Sequence, residues 1–416
     1  MSVAINIDRL LRRVFELGQI GALSGGGCKR LALTPEDAAG RALVTGWFRE
    51  IGLEVHSDVI GNTWAIRPDG AGRTDAAPVV MGSHIDTVGT GGLYDGVLGV
   101  LGALEVIESL NDAGIKTDRP IAVAFFTNEE GARFAPDMMG SGVAQGGLDL
   151  EEMLATTGID GVTVGAALDA IGARGSEPVD ALAPTAYLEL HIEQGPVLEA
   201  EYLAIGVVTG VQGISWSEFT VSGASAHAGT TPMAMRRDAG VVATGIALEA
   251  RAIARDFGPP QVATVGRMDF APDLVNVVPE RATLTVDLRH TDEAVLQQAE
   301  ARLFARAEEL AAQENCTLAR RTLARFEPVA FDPDLVDQVA QSATRLNLGH
   351  RRMPSGAGHD AQMFAPNCPS AMIFVPSRDG ISHNITEFTA PEQIAAGVAL
   401  LAEVALSRAG NAQNQG

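Results

Sequence analysis

The sequence predicts an α/β fold in which a mixed sheet flanked by helices forms a larger domain, interrupted by a smaller α+β domain. Two observations lead to this prediction. Apolar, strand-like segments at 79–85, 121–127 and 186–192 alternate with helix-like segments such as 97–110, as in sheets covered on both faces. Between about 211 and 326 the strand candidates instead alternate polar and apolar residues, which is typical of strands with one solvated face.

The N-terminal segment is predicted to form the first helix. Ile7, Leu10, Leu11, Val14 and Phe15 recur at helical spacing with charged residues between them. A secretion signal would instead have an uninterrupted apolar core. No stretch of the chain approaches the roughly 20 apolar residues of a transmembrane helix. We therefore expect a soluble, cytoplasmic protein.

A second helix is predicted to begin after Thr34. Thr34 has a side chain favoured at the N-cap, Pro35 is favoured in the first turn, and Gly52 is a plausible helix stop. The apolar residues of this segment, such as Trp47, would then face a core.

The inserted domain is predicted to contain at least two strands and two helices. The strand candidates are 215–223 and 282–290, and the helix candidates are 238–256 and 291–313. The Gly- and Ala-rich α/β pattern then returns. We therefore place the larger domain at 1–210 and 327–416 and the inserted domain at 211–326, a usual size for one domain.

Composition limits the classes of partner. The chain has 416 residues, 46% of them hydrophobic, and a formal net charge of −22, which disfavours binding to nucleic-acid backbones or anionic membranes. We expect a small-molecule partner, no nucleic acid and no membrane. Cys28, Cys316 and Cys368 are widely spaced, so we expect neither a disulfide framework nor a thiolate zinc site, in keeping with a cytoplasmic location.

Two adjacent glutamates, Glu129 and Glu130, follow the apolar segment 121–127. Neighbouring carboxylates repel each other and resist burial unless a cation, a proton or hydrogen bonds compensate them. The pair therefore indicates a site, although an isolated pair of this kind is more often part of a solvated turn.

Histidines at the polar ends of apolar segments supply further candidate ligands. His84 is followed two residues later by Asp86, which on a strand points the same way and could hold the imidazole while His84 binds a metal. A satisfied core histidine is the alternative. Asp95 could bridge two cations or be an ordinary helix cap, and His191 and His383 lie in LELHIEQG and DGISHNITEF.

Nitrogen and oxygen ligands without thiolates suit a pair of divalent ions such as Zn, Mn, Co or Ni. Two ions would offset the charges of the adjacent glutamates. One glutamate could then be a ligand while its neighbour moves protons.

Eight motifs carry a resemblance to a known family. In chain order they are GSHIDTV, GGLYDGVLGV, NEEGARF, ELHIEQG, ASAHAGTTPM, NVVPERATLTVDLRH, SGAGHDAQMFA and DGISHN. Together they resemble the hydantoinase/carbamoylase group of dinuclear metallohydrolases within the M20 peptidase-like family, over about residues 5–405. That group includes N-carbamoyl-L-amino acid amidohydrolases, allantoate amidohydrolases and β-ureidopropionases. HIEQG and HAGTTPM distinguish it from the M20 aminopeptidases and carboxypeptidases.

The resemblance implies roles for the metal-site residues. The implied metal ligands are His84, Asp95, Glu130, His191 and His383. Asp95 would bridge both ions, Glu129 would be the general base, and Asp86 would be the partner of His84. The SHNITEF segment lacks the proline that relatives often carry two residues after the histidine, which affects only the expected shape of the loop.

The resemblance also implies substrate contacts. The implied contact residues are Gln194, His227, Asn276, Arg289 and the turn around Gly358. His227 would in addition stabilise the oxyanion in the active site of a neighbouring subunit, within a homodimer. Residues 211–326 would then be a lid and dimerisation domain. From the residues alone, Arg289 could instead be a surface strand residue paired with Asp or Glu.

The implied reaction is metal-dependent hydrolysis of the ureido C–N bond of N-carbamoyl-L-amino acids, which releases the amino acid, carbon dioxide and ammonia. Allantoate amidohydrolase and β-ureidopropionase are the alternatives within the group. An M20-type peptidase is opposed by HIEQG, and an inactive binding protein is opposed by the complete ligand set. His56, His290 and His350 are expected to be structural or surface residues, whereas His359 is either a helix start or a residue behind the ligands.

Overall fold

The computed structural model describes residues 3–410. These residues form two compact units. The larger unit extends to Thr209 and resumes at Ala330, and the smaller unit comprises Gly210–Val329.

The strands are numbered in chain order. They are β1 (Glu54–Ser57), β2 (Thr63–Arg67), β3 (Val79–His84), β4 (Ile121–Phe126), β5 (Ala186–Ile192), β6 (Ile205–Val211), β7 (Gly213–Ser222), β8 (Ala226–His227), β9 (Val262–Ala271), β10 (Val277–Val278), β11 (Arg281–His290), β12 (Thr317–Phe326), β13 (Val329–Ala330), β14 (His350–Ser355) and β15 (Ser370–Val375).

The α-helices are numbered in the same way. They are α1 (Ile7–Gly18), α2 (Pro35–Glu50), α3 (Val97–Asp112), α4 (Met139–Ala144), α5 (Leu150–Ala155), α6 (Val164–Ile171), α7 (Val197–Ala200), α8 (Ala239–Phe257), α9 (Glu293–Gln313), α10 (Pro333–Arg345), α11 (Asp360–Phe364) and α12 (Pro391–Ala409). No helix among the described residues is both long and apolar enough to cross a membrane.

One mixed sheet of nine strands organises the larger unit, as predicted. Its order is β1-β2-β4-β3-β5-β15-β6-β13, and β14 pairs with β6. The neighbours β4, β3, β5 and β15 are parallel to one another, whereas β1, β2 and β6 run antiparallel to their partners. The four parallel strands are completely buried, which explains why their sequences are almost uniformly apolar.

Helices cover this sheet, and α3 lies closest to the strands that carry the candidate ligands. Its residues Val97–Ile107 are all buried, and it packs against β3, β4 and β5. A side chain at Gly99 would place Cβ 2.7 Å from the carbonyl oxygen of Leu190 in β5. The glycine therefore permits the close packing of helix on sheet.

The smaller unit is an α+β structure. Its antiparallel sheet has the order β12-β7-β11-β9, and β8 pairs separately with β10. Both α8 and α9 pack on one face of the four-stranded sheet, where Phe219, Ile246, Leu284 and Leu303 lie in a common core. The other face carries the half-exposed Trp216. The helix candidates at 238–256 and 291–313 correspond to α8 and α9, but β9 and β12 were not anticipated from the sequence.

Candidate active site

The candidate site lies where the four parallel strands of the larger unit end. His84 is the last residue of β3, and His191 is the last but one of β5. Glu129 and Glu130 follow the end of β4, and the loop after β15 carries His383. Because the carboxyl ends of parallel strands meet at one edge of a sheet, the fold brings together residues that are far apart in sequence.

Asp95, in the loop before α3, is the centre of this cluster. Its Oδ1 lies 3.2 Å from Nε2 of His191 and 3.6 Å from Nε2 of His84. Its Oδ2 lies 3.5 Å from Nε2 of His383, which is itself 3.3 Å from Oε2 of Glu130. One carboxylate thus belongs to two groups of candidate metal ligands, His84–Asp95–His191 and Asp95–Glu130–His383.

The spacing of these atoms fits divalent metal ions. Nitrogen and oxygen atoms bound tetrahedrally to one zinc ion at about 2.1 Å lie about 3.4 Å from each other, and the distances around Asp95 lie between 3.2 and 3.6 Å. The group with His84 and His191 is buried, whereas the side chain of His383 is half-exposed. The candidate site is therefore able to hold metal, with one buried and one more open group.

Main-chain carbonyls hold both buried imidazoles in one orientation. Nδ1 of His84 lies 2.9 Å from the carbonyl oxygen of Asp86, and Nδ1 of His191 lies 2.9 Å from that of Ile192. A proton on Nδ1 satisfies each contact and leaves the lone pair of Nε2 for a metal. The backbone N–H of Gly96 donates to Nε2 of His191, which agrees with this tautomer.

The carboxylate of Asp86 was expected to hold the imidazole of His84, but its closest contacts lie elsewhere in the site. It lies 3.9 Å from Nδ1 of His84, farther than the carbonyl oxygen of the same residue. Its two oxygens instead accept the backbone N–H groups of Glu129 and Glu130, each at 3.3 Å. Asp86 therefore links the ends of β3 and β4 and fixes the turn that carries the two glutamates.

An unusual backbone conformation in this turn sets the directions of the two glutamate side chains. Asn128, which precedes them, has φ 56°, a left-handed conformation that costs energy in a residue other than glycine. The side chain of Asn128 donates to the carbonyl oxygens of Phe134 and Pro136 and so holds the conformation. Gln194 and His383 also have φ near 56°, so strained residues cluster at this edge of the sheet.

Glu129 is buried and separate from the group that contains Glu130. Its Oε2 lies 3.3 Å from Nε2 of His84. Burial, together with the negative charges of Asp360, Glu130 and Asp86, raises the pKa of Glu129 well above that of an exposed glutamate. A carboxyl group with a raised pKa is suited to accepting and returning a proton near neutral pH.

Of the residues expected to contact substrate, Gln194 and Gly358 lie in the larger unit. Nε2 of Gln194 donates to Oδ2 of Asp95 at 2.9 Å, and its Oε1 is buried without a hydrogen-bond partner among the described residues. Gly358 belongs to the turn that leads into α11, where a Cβ would lie 2.7 Å from the side chain of Met138.

His359 combines the two roles left open by the sequence. It is the residue before α11, and its ring lies edge-on to that of His191 with 4.5 Å between centroids. Its Nε2 contacts Oγ of Ser355 at 2.9 Å, while Nδ1 is buried without a partner among the described residues. Burial and the adjacent His191 lower the pKa of His359 well below its usual value.

His227 and Asn276 are neighbours in the smaller unit. His227 is an exposed residue of β8, and its partner across the two-stranded ladder is Val277 of β10. Its Nδ1 accepts the N–H groups of Gly229 and Thr230 at 3.1 and 3.2 Å. Asn276 precedes Val277, and its carbonyl oxygen accepts the N–H of Ala228. His227 and Asn276 therefore lie close together at the β8–β10 ladder.

Arg289 lies on the face of the smaller unit's sheet that α8 and α9 leave uncovered. Its Nε and Nη2 donate to the carboxylate of Asp287 at 2.9–3.2 Å. Its guanidinium carbon lies 5.7 Å from the ring centre of Trp216, which is the residue opposite Asp287 on β7. The pair with Asp287 matches the surface interpretation, and the same contacts also fix the plane of the guanidinium group.

Sequence reasoning missed two residues of the loop that carries His383. Oγ of Ser382 donates to Oδ2 of Asp95 at 2.7 Å, and Oε1 of Glu387 accepts the backbone N–H of Asp95 at 3.2 Å. No pattern around Glu387 distinguishes it from an exposed glutamate in the sequence.

Comparison with known proteins gives consistent results. A model of peptidase family M20/M25/M40 matches residues 80–407. The chain is 43% identical to the N-carbamoyl-L-amino-acid amidohydrolase of Rhizobium meliloti, with 97% of each chain covered. It is 40% identical to the enzyme of that name from Geobacillus stearothermophilus, covering 95% of this chain and 96% of the relative.

Allantoate amidohydrolase of Escherichia coli (strain K12) is 37% identical, with 93% of this chain and 94% of the relative covered. Among solved structures, an amidase of the hydantoinase/carbamoylase family from Burkholderia multivorans is similar with a TM-score of 0.95, at 47% identity over 98% of both chains. In sequence and in fold, the chain belongs to peptidase family M20/M25/M40 and, within it, to the hydantoinase/carbamoylase amidases.

Proposed function

We propose that the protein hydrolyses the ureido C–N bond of N-carbamoyl-L-amino acids with two divalent metal ions per subunit. The observation that carries this proposal is the position of Asp95 between two groups of nitrogen and oxygen ligands, His84–Asp95–His191 and Asp95–Glu130–His383. The names of the Rhizobium meliloti and Geobacillus stearothermophilus relatives support the substrate class. In the reaction, R–NH–CO–NH₂ and one water give the amine, carbon dioxide and ammonia.

The metal ions, when bound, lower the pKa of water toward neutrality and polarise a carbonyl oxygen. Zn, Mn, Co and Ni all suit the ligand set. The five proposed ligands would divide as three for each ion, His84, Asp95 and His191 for one and Asp95, Glu130 and His383 for the other.

Glu129 is proposed as the general base. It takes a proton from the attacking water and delivers it to the departing nitrogen. Its burial and its position beside His84 support this role. Asp86 holds the backbone of Glu129 and Glu130, and thereby keeps the base and the ligand pointing in different directions.

The remaining roles concern the substrate. Arg289 and Asn276 are proposed to bind its carboxylate, since the planar guanidinium group matches both carboxylate oxygens. Gln194 and the turn at Gly358 are proposed to contact the ureido end. His227 is proposed to stabilise the oxyanion.

The smaller unit is proposed to be a lid and dimerisation domain. In this proposal the protein is a cytoplasmic homodimer, and His227 acts in the active site of the neighbouring subunit.

A substrate panel tests the reaction class. N-Carbamoyl-L-amino acids, N-carbamoyl-β-alanine, allantoate and dipeptides are each incubated with metal-loaded protein, and ammonia and free amino acid are measured. We expect ammonia release from N-carbamoyl-L-amino acids. Turnover of allantoate alone would favour the alternative activity to which the Escherichia coli relative points. Hydrolysis of dipeptides without any ureide would contradict the proposal.

A further inference from the structure

We propose that Glu387 is a positioning residue that holds Asp95 in its bridging orientation and thereby sets the affinity of the site for metal. This inference rests on the proposed role of Asp95 as a metal ligand. Asp95 lies outside regular secondary structure, directly before Gly96, which has φ 64°. Its carboxylate must nevertheless present one oxygen to His84 and His191 and the other to His383, so something must fix its backbone.

Glu387 supplies that restraint through the main chain. Its Oε1 accepts the backbone N–H groups of Tyr94 and Asp95 at 3.0 and 3.2 Å. Two successive N–H groups bound to one oxygen define the orientation of both peptide planes. The backbone from which the Asp95 side chain projects is therefore held in one orientation.

The local sequence accommodates this carboxylate closely. A Cβ at Gly92 would lie only 2.1 Å from Oε1 of Glu387, so any side chain at this position would displace the carboxylate from where it is. The second glycine of GGLYD therefore makes room for Glu387. The turn before α3 is therefore shaped to receive the carboxylate of Glu387.

Ser382 extends the restraint to the side chain of Asp95. Its Oγ lies 2.7 Å from Oδ2 of Asp95 and 3.3 Å from Oε2 of Glu387, and the shorter contact takes the hydroxyl proton. The loop 382–387 thus contacts Asp95 through both backbone and side chain while it also carries His383. Two members of the Asp95–Glu130–His383 group consequently depend on one loop.

The charge of Glu387 also requires explanation. The residue is 6% exposed, and within residues 3–410 no arginine or lysine forms an ion pair with it. Its neighbours already include the carboxylate of Asp95, to which Ser382 connects it. A further buried anion is costly unless positive charge compensates it, and divalent cations at the adjacent ligand groups would provide that compensation.

The test compares Glu387→Met, which keeps the length of the side chain but removes the oxygen that accepts the two N–H groups, with Glu392→Met. The second variant makes the same change at an exposed residue in the first turn of α12. Affinity for Zn²⁺ alone is measured by competition with a chelator, well below the unfolding temperature, and the ions retained per chain are counted by elemental analysis. Loss of a residue that orients a ligand typically lowers metal affinity roughly 10- to 100-fold, and we expect a loss in this range for Glu387→Met and a change within twofold for Glu392→Met. An affinity of Glu387→Met within twofold of the parent would overturn the inference.

Two further variants keep the outcomes distinct. If Glu387→Met does not fold, Ser382→Ala removes the hydroxyl between the two carboxylates, and we expect a loss of Zn²⁺ affinity of at least threefold; an unchanged affinity would overturn the inference. Asp95→Asn tests the proposed function on which the inference rests. Loss of metal in Asp95→Asn with parental affinity in Glu387→Met refutes the role of Glu387 alone, whereas parental affinity in Asp95→Asn refutes the metal site itself.

Discussion

At the scale of single residues, the two adjacent glutamates have different surroundings. Glu130 lies in a candidate ligand group with Asp95 and His383, whereas Glu129 is buried beside His84. The carboxylate of Asp86 accepts hydrogen bonds from the backbone N–H groups of both glutamates. The turn that Asp86 stabilises therefore gives these two sequence neighbours different contacts.

We predict that Glu129→Gln lowers kcat by at least about 100-fold, the contribution usual for a general base, and leaves metal content near that of the parent. Glu130→Gln should instead lose metal because it removes a charged ligand. Elemental analysis and ammonia release measure the two effects. The assignment would be wrong if Glu129→Gln lost its ions while Glu130→Gln kept both ions and activity.

Arg289 gives a second prediction at this scale. Arg289→Lys keeps the positive charge but loses the planar group that Asp287 and Trp216 orient. We expect a loss on the order of 2 kcal/mol, or about 30-fold in kcat/KM, for ureides that carry a carboxylate.

The comparison substrate is a ureide without a carboxylate, which should lose much less. Arg281→Lys, at the exposed start of the same strand, is the matched control and should behave like the parent. Equal losses on both substrates would show that Arg289 does not bind the carboxylate.

Several residue-level features could not be read from the sequence. His84 and Asp86 were predicted to be partners, but the nearest contact uses the carbonyl oxygen of Asp86, and a one-letter code does not say whether a residue acts through its main chain. Glu387 escaped notice because its contacts lie 292 and 293 residues away. Only the fold brings it to Asp95.

At the scale of elements, three buried parallel strands of the large sheet were predicted from the sequence, whereas its other six strands and two strands of the small sheet were not. Buried parallel strands read as continuous apolar segments, so β3, β4 and β5 were found. β12 reads TLARRTLARF, and most of its residues are exposed. Alanine and arginine favour helices intrinsically, and pairing with β7 overrides this preference.

Helix α3 gives a prediction at this scale. Gly99→Ala would place Cβ 2.7 Å from both the carbonyl oxygen of Leu190 and the Cβ of Ser83. Overpacking of this kind costs roughly 1–3 kcal/mol, so the midpoint of urea unfolding should fall.

Gly46→Ala in α2 is the control, because nothing lies within 4 Å of its Cβ position. There the substitution should stabilise the helix by roughly 0.5–1 kcal/mol. Both variants are measured without metal, since bound ions would add their own stabilisation. An unchanged midpoint for Gly99→Ala would mean that helix and sheet are less closely packed than described.

At the scale of the whole molecule, the proposed homodimer gives a complementation test. If His227 acts in the neighbouring subunit, a mixed dimer of His227→Ala and Glu129→Gln has one site with both lesions and one site with neither. We expect each variant alone to be nearly inactive and the mixed dimer to recover about half the parental activity.

Native mass spectrometry establishes that mixed dimers have formed. If His227 acts only within its own subunit, each site of the mixed dimer carries one lesion. Absence of recovery in confirmed heterodimers would therefore contradict the proposed exchange and leave the metal site untouched.

The central claim is that Asp95 joins two metal ions, and anomalous diffraction from zinc-loaded crystals tests it most directly. We predict two anomalous peaks per chain about 3.5 Å apart, a usual separation for two-metal sites. One peak should lie beside His84 and His191 and the other beside Glu130 and His383, with the Asp95 carboxylate between them. A single peak at full zinc occupancy, or two peaks that do not share Asp95, would contradict the account.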